Sequence, residues 1–138
     1  MKPEQQKACR TIRNFDSANA AKWLLENYKL ETGKAGEAFV IMQHRSWSKS
    51  DQIMLADYFL SNLPHRSDRG YRAFLSFMAL PTFLQVLRRN LPDKRIDRDL
   101  MIYHLRPILK SHQYSQKYKL LIDDFLQLLE QGHTRHNQ

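Results

Sequence analysis

The chain has one cysteine, Cys9, and only four glycines and five prolines among its 138 residues. A lone thiol cannot close an internal disulfide and excludes a cysteine-built zinc cage. So little Gly and Pro leaves scant material for the tight turns of a multi-stranded β architecture. Long apolar runs are also missing, since nothing approaches the about 18–20 consecutive apolar residues that a membrane-spanning helix needs. Residues Met1 to Arg13 are polar and charged and lack the apolar centre of a secretory signal. Together these absences lead to the expectation of a cytoplasmic protein with a reduced thiol and no membrane partner.

Negative charge is scarce over one long stretch. Twelve Lys and Arg lie between Arg66 and Lys119 against four Asp and no Glu, so this window carries the whole net charge of +8. The rest of the chain balances, with ten basic and ten acidic residues. Segregation of this kind points to an anionic partner. What is present otherwise is ordinary: 42% hydrophobic and 26% charged residues, a globular composition at a length suited to one domain.

Apolar spacing and end signals predict an all-α bundle of about six to eight short helices over residues 1–132, with a flexible polar tail at 133–138. Pro3 opens a helix bearing Ala8, Cys9 and Ile12, with Phe15 at its end. Asp16 or Ser17 caps a second that runs to about Glu31, with Trp23, Leu24 and Tyr28 inward and Gly33 beyond. The run Ala38–Met42 fits a buried helix or a short strand; with no second strand to pair with, it is read as helix. Ser48 with Asp51 makes a capping-box start, with Trp47 in the staple position, for a helix carrying Ile53, Ala56, Phe59 and Leu60 and stopping before Pro64. Tyr71, Phe74, Leu75 and Met78 then give the clearest amphipathic stripe, opened at Ser67 or Asp68. Further helices follow Pro81, with Phe83, Leu84, Val86 and Leu87 inside, and Asp97, with Leu100, Met101, Leu105 and Ile108 inside and a bend or break at Pro107. The last begins at Ser115, bears Tyr118, Leu121, Ile122, Phe125, Leu128 and Leu129, and ends at Gly132.

Cations stabilise helix C-termini and are disfavoured at N-termini. Arg88 and Arg89 close a predicted helix, so the dipole accounts for them. Arg69 and Arg72 open one, as do Lys117 and Lys119 after Ser115 and Arg98 beside Asp97, and there the dipole opposes them. Guanidinium groups beside free N–H groups suit a phosphate or carboxylate. The segment Arg66–Arg72 adds a hydroxyl, a glycine and an aromatic ring. The expected contacts are Arg66, Arg69, Arg72, Lys94, Arg95 and Arg98, extended by Lys110, Lys117 and Lys119. The competing reading is a solvated surface on which Asp68 and Asp97 pair locally with these arginines.

The leading expectation is a non-enzymatic module binding nucleic acid or another polyanion. The apolar junction Ala79-Leu80-Pro81 does not suit a helix-turn-helix, so binding governed by phosphates, weakly specific and salt-dependent, is expected. An adaptor, inhibitor or immunity-type module docking on an acidic protein is the alternative. A third reading starts from Arg98-Asp99-Leu100-Met101-Ile102-Tyr103-His104, seven residues similar to the Arg-x(4–6)-His motif of HEPN ribonucleases, which are small, all-helical and often dimeric. The resemblance implies that Arg98 steadies a scissile phosphate and His104 acts as acid or base. His104 also shares the stripe of Met101, Leu105 and Ile108, which suits a half-buried structural histidine better. His44, His65, His104, His112, His133 and His136 form no HxxxH or HExxH pair, so neither metal nor cofactor is expected.

Overall fold

Residues 1–131 are described in a computed structural model; Gly132 and the expected tail at 133–138, with His133 and His136, lie outside the described residues. The elements are α1 (Pro3–Arg13), α2 (Ser17–Asn27), a 3-10 turn (Leu30–Thr32), α3 (Ala35–Met42), α4 (Lys49–Phe59), α5 (Arg69–Leu75), α6 (Leu80–Arg89), α7 (Arg95–Leu109), α8 (His112–Ser115) and α9 (Lys119–Gln131). The expected all-α class is what is found, with no strand among the described residues. The helices are shorter and more numerous than expected. The second expected helix divides at Asn27, and Gly33 ends the 3-10 turn in the left-handed region that glycine tolerates.

Side-chain caps begin α2 and α4. The Asp16 side chain accepts from the Asn19 N–H at 2.8 Å and begins α2. Ser48 begins α4, but Asp51 does not reach back to the Ser48 backbone. Its carboxylate accepts from the Ser48 and Ser17 hydroxyls, each at 2.6 Å, while the Ser48 N–H donates to Ser17 Oγ at 2.9 Å. A serine from α2 thus completes the box and ties the two helix starts together. These two hydroxyl bonds hold the Asp51 carboxyl below its ordinary pKa. Trp47, 5% exposed, donates its indole N–H to Met42 O at 2.8 Å and turns the chain from α3 into α4.

Two starts differ from expectation. α7 begins at Arg95 after Lys94, so Asp97 lies inside its first turn instead of capping it. The last long helix begins at Lys119; Ser115 ends the one-turn α8 instead. Pro107 does not break α7, which continues to Leu109. It sits on the exposed side near the helix end, where one lost N–H bond matters least.

The core runs through every long helix. Phe59, Tyr71, Phe74, Phe83 and Phe125 are completely buried, and burying each such ring contributes about 1.5–3 kcal/mol. The aromatic group Phe39, Phe59, Phe74 and His65 joins α3, α4, α5 and the loop between α4 and α5. α3 packs on α1 and α5, α4 on α2 and α6, and α7 along α9. Arg106–Glu130 and Lys110–Asp123, at 2.9 and 2.8 Å, mark that last pair as antiparallel.

Candidate anion-binding site

Folding redistributes the charge seen along the chain. Three carboxylates from outside the basic window return to it: Asp57 binds Arg89 at 2.8 Å, Glu130 binds Arg106 at 2.9 Å, and Asp123 holds both Lys110 and Lys119 at 2.8 and 2.9 Å. The two lysines keep the Asp123 carboxyl below its ordinary pKa. Within the window Asp68 pairs with Arg72 at 2.7 Å and Asp99 with Arg95 at 3.0 Å. Local pairing was expected of Asp68 and Asp97; the second partner is Asp99, one helical turn beyond Arg95. Lys117 lies over the Tyr118 ring at 5.3 Å and Arg88 over Phe125 at 5.9 Å. Among the described residues, Arg66, Arg69 and Lys94 have no ion pair or ring contact.

Arg98 differs from the other expected contacts. Starting α7 at Arg95 puts Arg98 in register with Met101, Ile102 and Leu105, on the face turned toward α9. It is only 6% exposed. Its Nε donates to Leu129 O at 3.2 Å, and its Nη1 donates to the carbonyls of Pro92 and Asp93. The structure therefore removes Arg98 from the expected surface set and makes it a buried clamp between the α6–α7 loop and α9. His104 is half-buried, and its Nε2 is enclosed without a hydrogen-bond partner among the described residues. Of the ribonuclease-like motif, Arg98 is withdrawn from solvent, whereas His104 is half-buried with one ring nitrogen enclosed. The spacing resembles that motif, but this burial gives both residues a structural account.

Arg66 and Arg69 share one concavity of about 420 Å³ between α3, the α4–α5 loop and the start of α5. Its floor is formed by Leu30, Phe39, Phe59, Pro64 and His65, and its rim by Arg66, Arg69, Ser67 and Asn62. None of its lining residues is acidic. Of the amide groups at the start of α5, that of Arg69 donates to Ser67 Oγ at 3.3 Å. The Asp68 carboxylate makes no cap and goes to Arg72. The guanidinium groups of Arg66 and Arg69 are the charges this concavity offers an anion.

Two glycines keep the concavity open. At Gly36 an added Cβ would lie 3.5 Å from the Arg69 Nη1, so the guanidinium rests against the first turn of α3. Positive charge is disfavoured there; burial raises the Tyr28 pKa, and the charge of Glu37 in that turn adds to the rise. At Gly70 the space a Cβ would need is filled by the His65 ring, 2.7 Å away at Nδ1. His65 Nε2 lies 3.1 Å from Phe59 O and its ring stacks on Tyr71. Donation from Nε2 to that carbonyl fixes the neutral tautomer with Nδ1 as acceptor. Burial holds the His65 pKa below its ordinary value, and the same burial pushes Tyr71 up to about 12.

A second concavity of about 390 Å³ is lined by Arg72, Ser76, Ser111, Gln113 and Tyr114 among others, again with no acidic residue. No family model, curated protein or solved structure matches the chain. Of the expected contacts, Arg66 and Arg69 line the first concavity and Arg72 the second. Lys94, Arg95, Arg98, Lys110, Lys117 and Lys119 line neither. Gly36, Phe39, Asn62 and His65 were not expected in the first; the polar stretch Asn62–Ser67 between two apolar helices was the available signal.

Proposed function

We propose that this protein is a binding module for a polyanion, and that the contact surface is the compact arginine rim around Arg66, Arg69 and Arg72 rather than the whole basic window. The observation that carries this reading is the acid-free concavity whose two rim guanidinium groups have no carboxylate partner among the described residues. Elsewhere in the window, ion pairs engage most of the positive charge. Arg72, which lines the second concavity, adds to the contact surface despite Asp68, because that pair is exposed and such pairs contribute only about 0–1 kcal/mol. An incoming phosphate exchanges for Asp68 at small cost.

Salt dependence tests the size of the surface. Each neutralised phosphate contributes about −0.7 to −0.9 to the slope of log K against log salt. Three arginines then predict a loss of about 20- to 40-fold between 50 and 200 mM salt. Engagement of all nine expected cations would give a loss of several thousandfold or more. Affinity indifferent to salt and to charge reversal at Arg66 and Arg69 refutes the reading.

One observation favours the alternative, an adaptor-like module for an acidic protein. Ile96 and Tyr103 are 74% and 72% exposed on α7, with Leu100 between them at helical spacing. Lys94 and Arg95 flank this apolar stripe at its start, a pattern complementary to an apolar patch bordered by carboxylates. A discrete complex with one acidic protein, lost in Ile96→Asp and retained in Arg69→Glu, would establish this reading in place of the first.

A further inference from the structure

We infer that the polyanion is single-stranded nucleic acid, with one base entering the 420 Å³ concavity while the backbone passes from Arg69 over Arg72 toward the second concavity. The inference rests on the polyanion reading and adds the chemical class of the ligand.

Three features of the site support it. The first is composition. Leu30, Phe39 and Pro64 give the concavity an apolar floor beneath its cationic rim. A ligand that is all phosphate would use the rim and leave the floor in contact with water. A nucleotide matches both parts, having a flat apolar face joined to an anionic backbone. The volume also lies in the range of small-ligand sites.

The second feature is the edge chemistry. The Asn62 amide has no hydrogen-bond partner among the described residues and stands at the mouth, where it can donate and accept. The Ser67 hydroxyl accepts from the Arg69 N–H and keeps its own proton for donation. A base edge carries both kinds of group, whereas a phosphate only accepts from these positions.

The third feature is continuity. Arg69 lines the first concavity and Arg72 the second. They are three residues apart on α5, so they lie on neighbouring positions of one helix surface. Tyr114 stands in the second concavity with Gln113 and Ser111, again a ring beside polar groups. Two concavities joined by a cationic ridge suit a flexible chain with successive bases. A duplex keeps its bases stacked and would meet only the ridge.

The experiment uses the full-length chain and a fluorescently labelled 12-nucleotide single strand, read by anisotropy at 50 mM salt. Competitors are the unlabelled strand, its blunt duplex, an abasic strand of the same length and inorganic polyphosphate. The expected result is that the unlabelled strand competes about tenfold better per phosphate than each of the others. Gly36→Leu provides the control within the protein. Its backbone is outside the left-handed region, its Cβ would stand at an ordinary contact distance, and Leu is favoured over Gly in a helix. The leucine fills the concavity without changing charge. It is expected to abolish the tenfold preference for the unlabelled strand over the abasic strand.

Equal competition by the abasic strand, the duplex or polyphosphate overturns the base-in-concavity inference and leaves the polyanion reading standing. An unchanged preference in Gly36→Leu overturns the placement of the base. Absence of salt-sensitive binding to every probe overturns both the inference and the reading beneath it.

Discussion

Replacing Arg98 by methionine removes a guanidinium while keeping most of its aliphatic volume. The change strands three carbonyls, those of Pro92, Asp93 and Leu129, that the side chain now satisfies. Leu129 lies in the last turn of α9, where carbonyls run out of intrahelical partners and a cation is favourable. A hydrogen bond to a charged group contributes about 1.5–3 kcal/mol, and a buried acceptor left without a partner costs about 1–3 kcal/mol. These terms overlap, and water reaches part of the Asp93 site because that residue is exposed. The expected loss is therefore about 3–5 kcal/mol, less than the sum of three full bonds. Against a total stability of about 5–15 kcal/mol this is a large fraction. With an m-value of about 2 kcal/mol/M in urea, the unfolding midpoint should fall by about 1.5–2.5 M. Lysine should recover little, because a single ammonium on a flexible stem cannot bridge the loop and α9 as the planar fork does. A loss below about 1 kcal/mol in Arg98→Met, or full recovery by Arg98→Lys, would refute the clamp.

Gly70→Ala should destabilise by about 1–2 kcal/mol, because its Cβ would press on His65 and Phe39 at 2.7 to 3.0 Å and overpacking outweighs the gain in helix propensity; a Tm lowered by several degrees is the readout, and an unchanged or raised Tm contradicts it. His65 has a folded pKa below its ordinary 6.5, so the unfolded chain takes up the proton first and stability falls as pH drops below about 6.5 toward that lowered value. Urea midpoints measured between about pH 7 and pH 5 should show this fall in the parent and a smaller one in His65→Gln, while Asp51 and Asp123, with lowered pKa values, contribute only at more acidic pH. Paired substitution of Lys110 and Lys119 by Gln should change polyanion affinity less than about threefold, since both lysines already hold Asp123, whereas Arg66 and Arg69 to Gln together should lower it more than about tenfold. Equal losses in the two double variants would return the contact surface to the whole basic window.

Where apolar residues repeat at helical spacing and an end signal stands nearby, sequence and structure agree. Pro3, Asp16 and Ser48 each open the helix expected of them, and Tyr71, Phe74 and Met78 are buried. Disagreement arises where an end signal has a stronger use elsewhere. Asp97 has cap-forming chemistry, yet α7 has already begun at Arg95; Asp68 gives its carboxylate to Arg72. Leu100 was expected inward with Met101 and is instead 37% exposed, because the buried stripe of α7 runs through Arg98, Met101, Ile102 and Leu105. That stripe was readable at i, i+3, i+4 and i+7 once a charged residue was admitted to it. A buried arginine breaks the usual pattern, and bonds such as those to the Pro92, Asp93 and Leu129 carbonyls offset the cost of burying it.

The sequence by itself determined the class of the molecule and the neighbourhood of the site. Local periodicity, caps and scarce glycine require short helices, and the order of residues places Arg66, Ser67, Arg69 and Arg72 on one loop and helix start. The tertiary structure alone decided which charges remain unpaired. Asp57 and Glu130 lie 32 and 24 positions from Arg89 and Arg106, and Asp123, four positions from Lys119, lies 13 from Lys110. A run of net charge counts residues along a line, whereas an anion meets charges within a few ångströms in space. Packing α7 against α9 and α6 against α4 satisfied much of the window, buried Arg98, and left the arginines beside Gly36 facing an acid-free concavity.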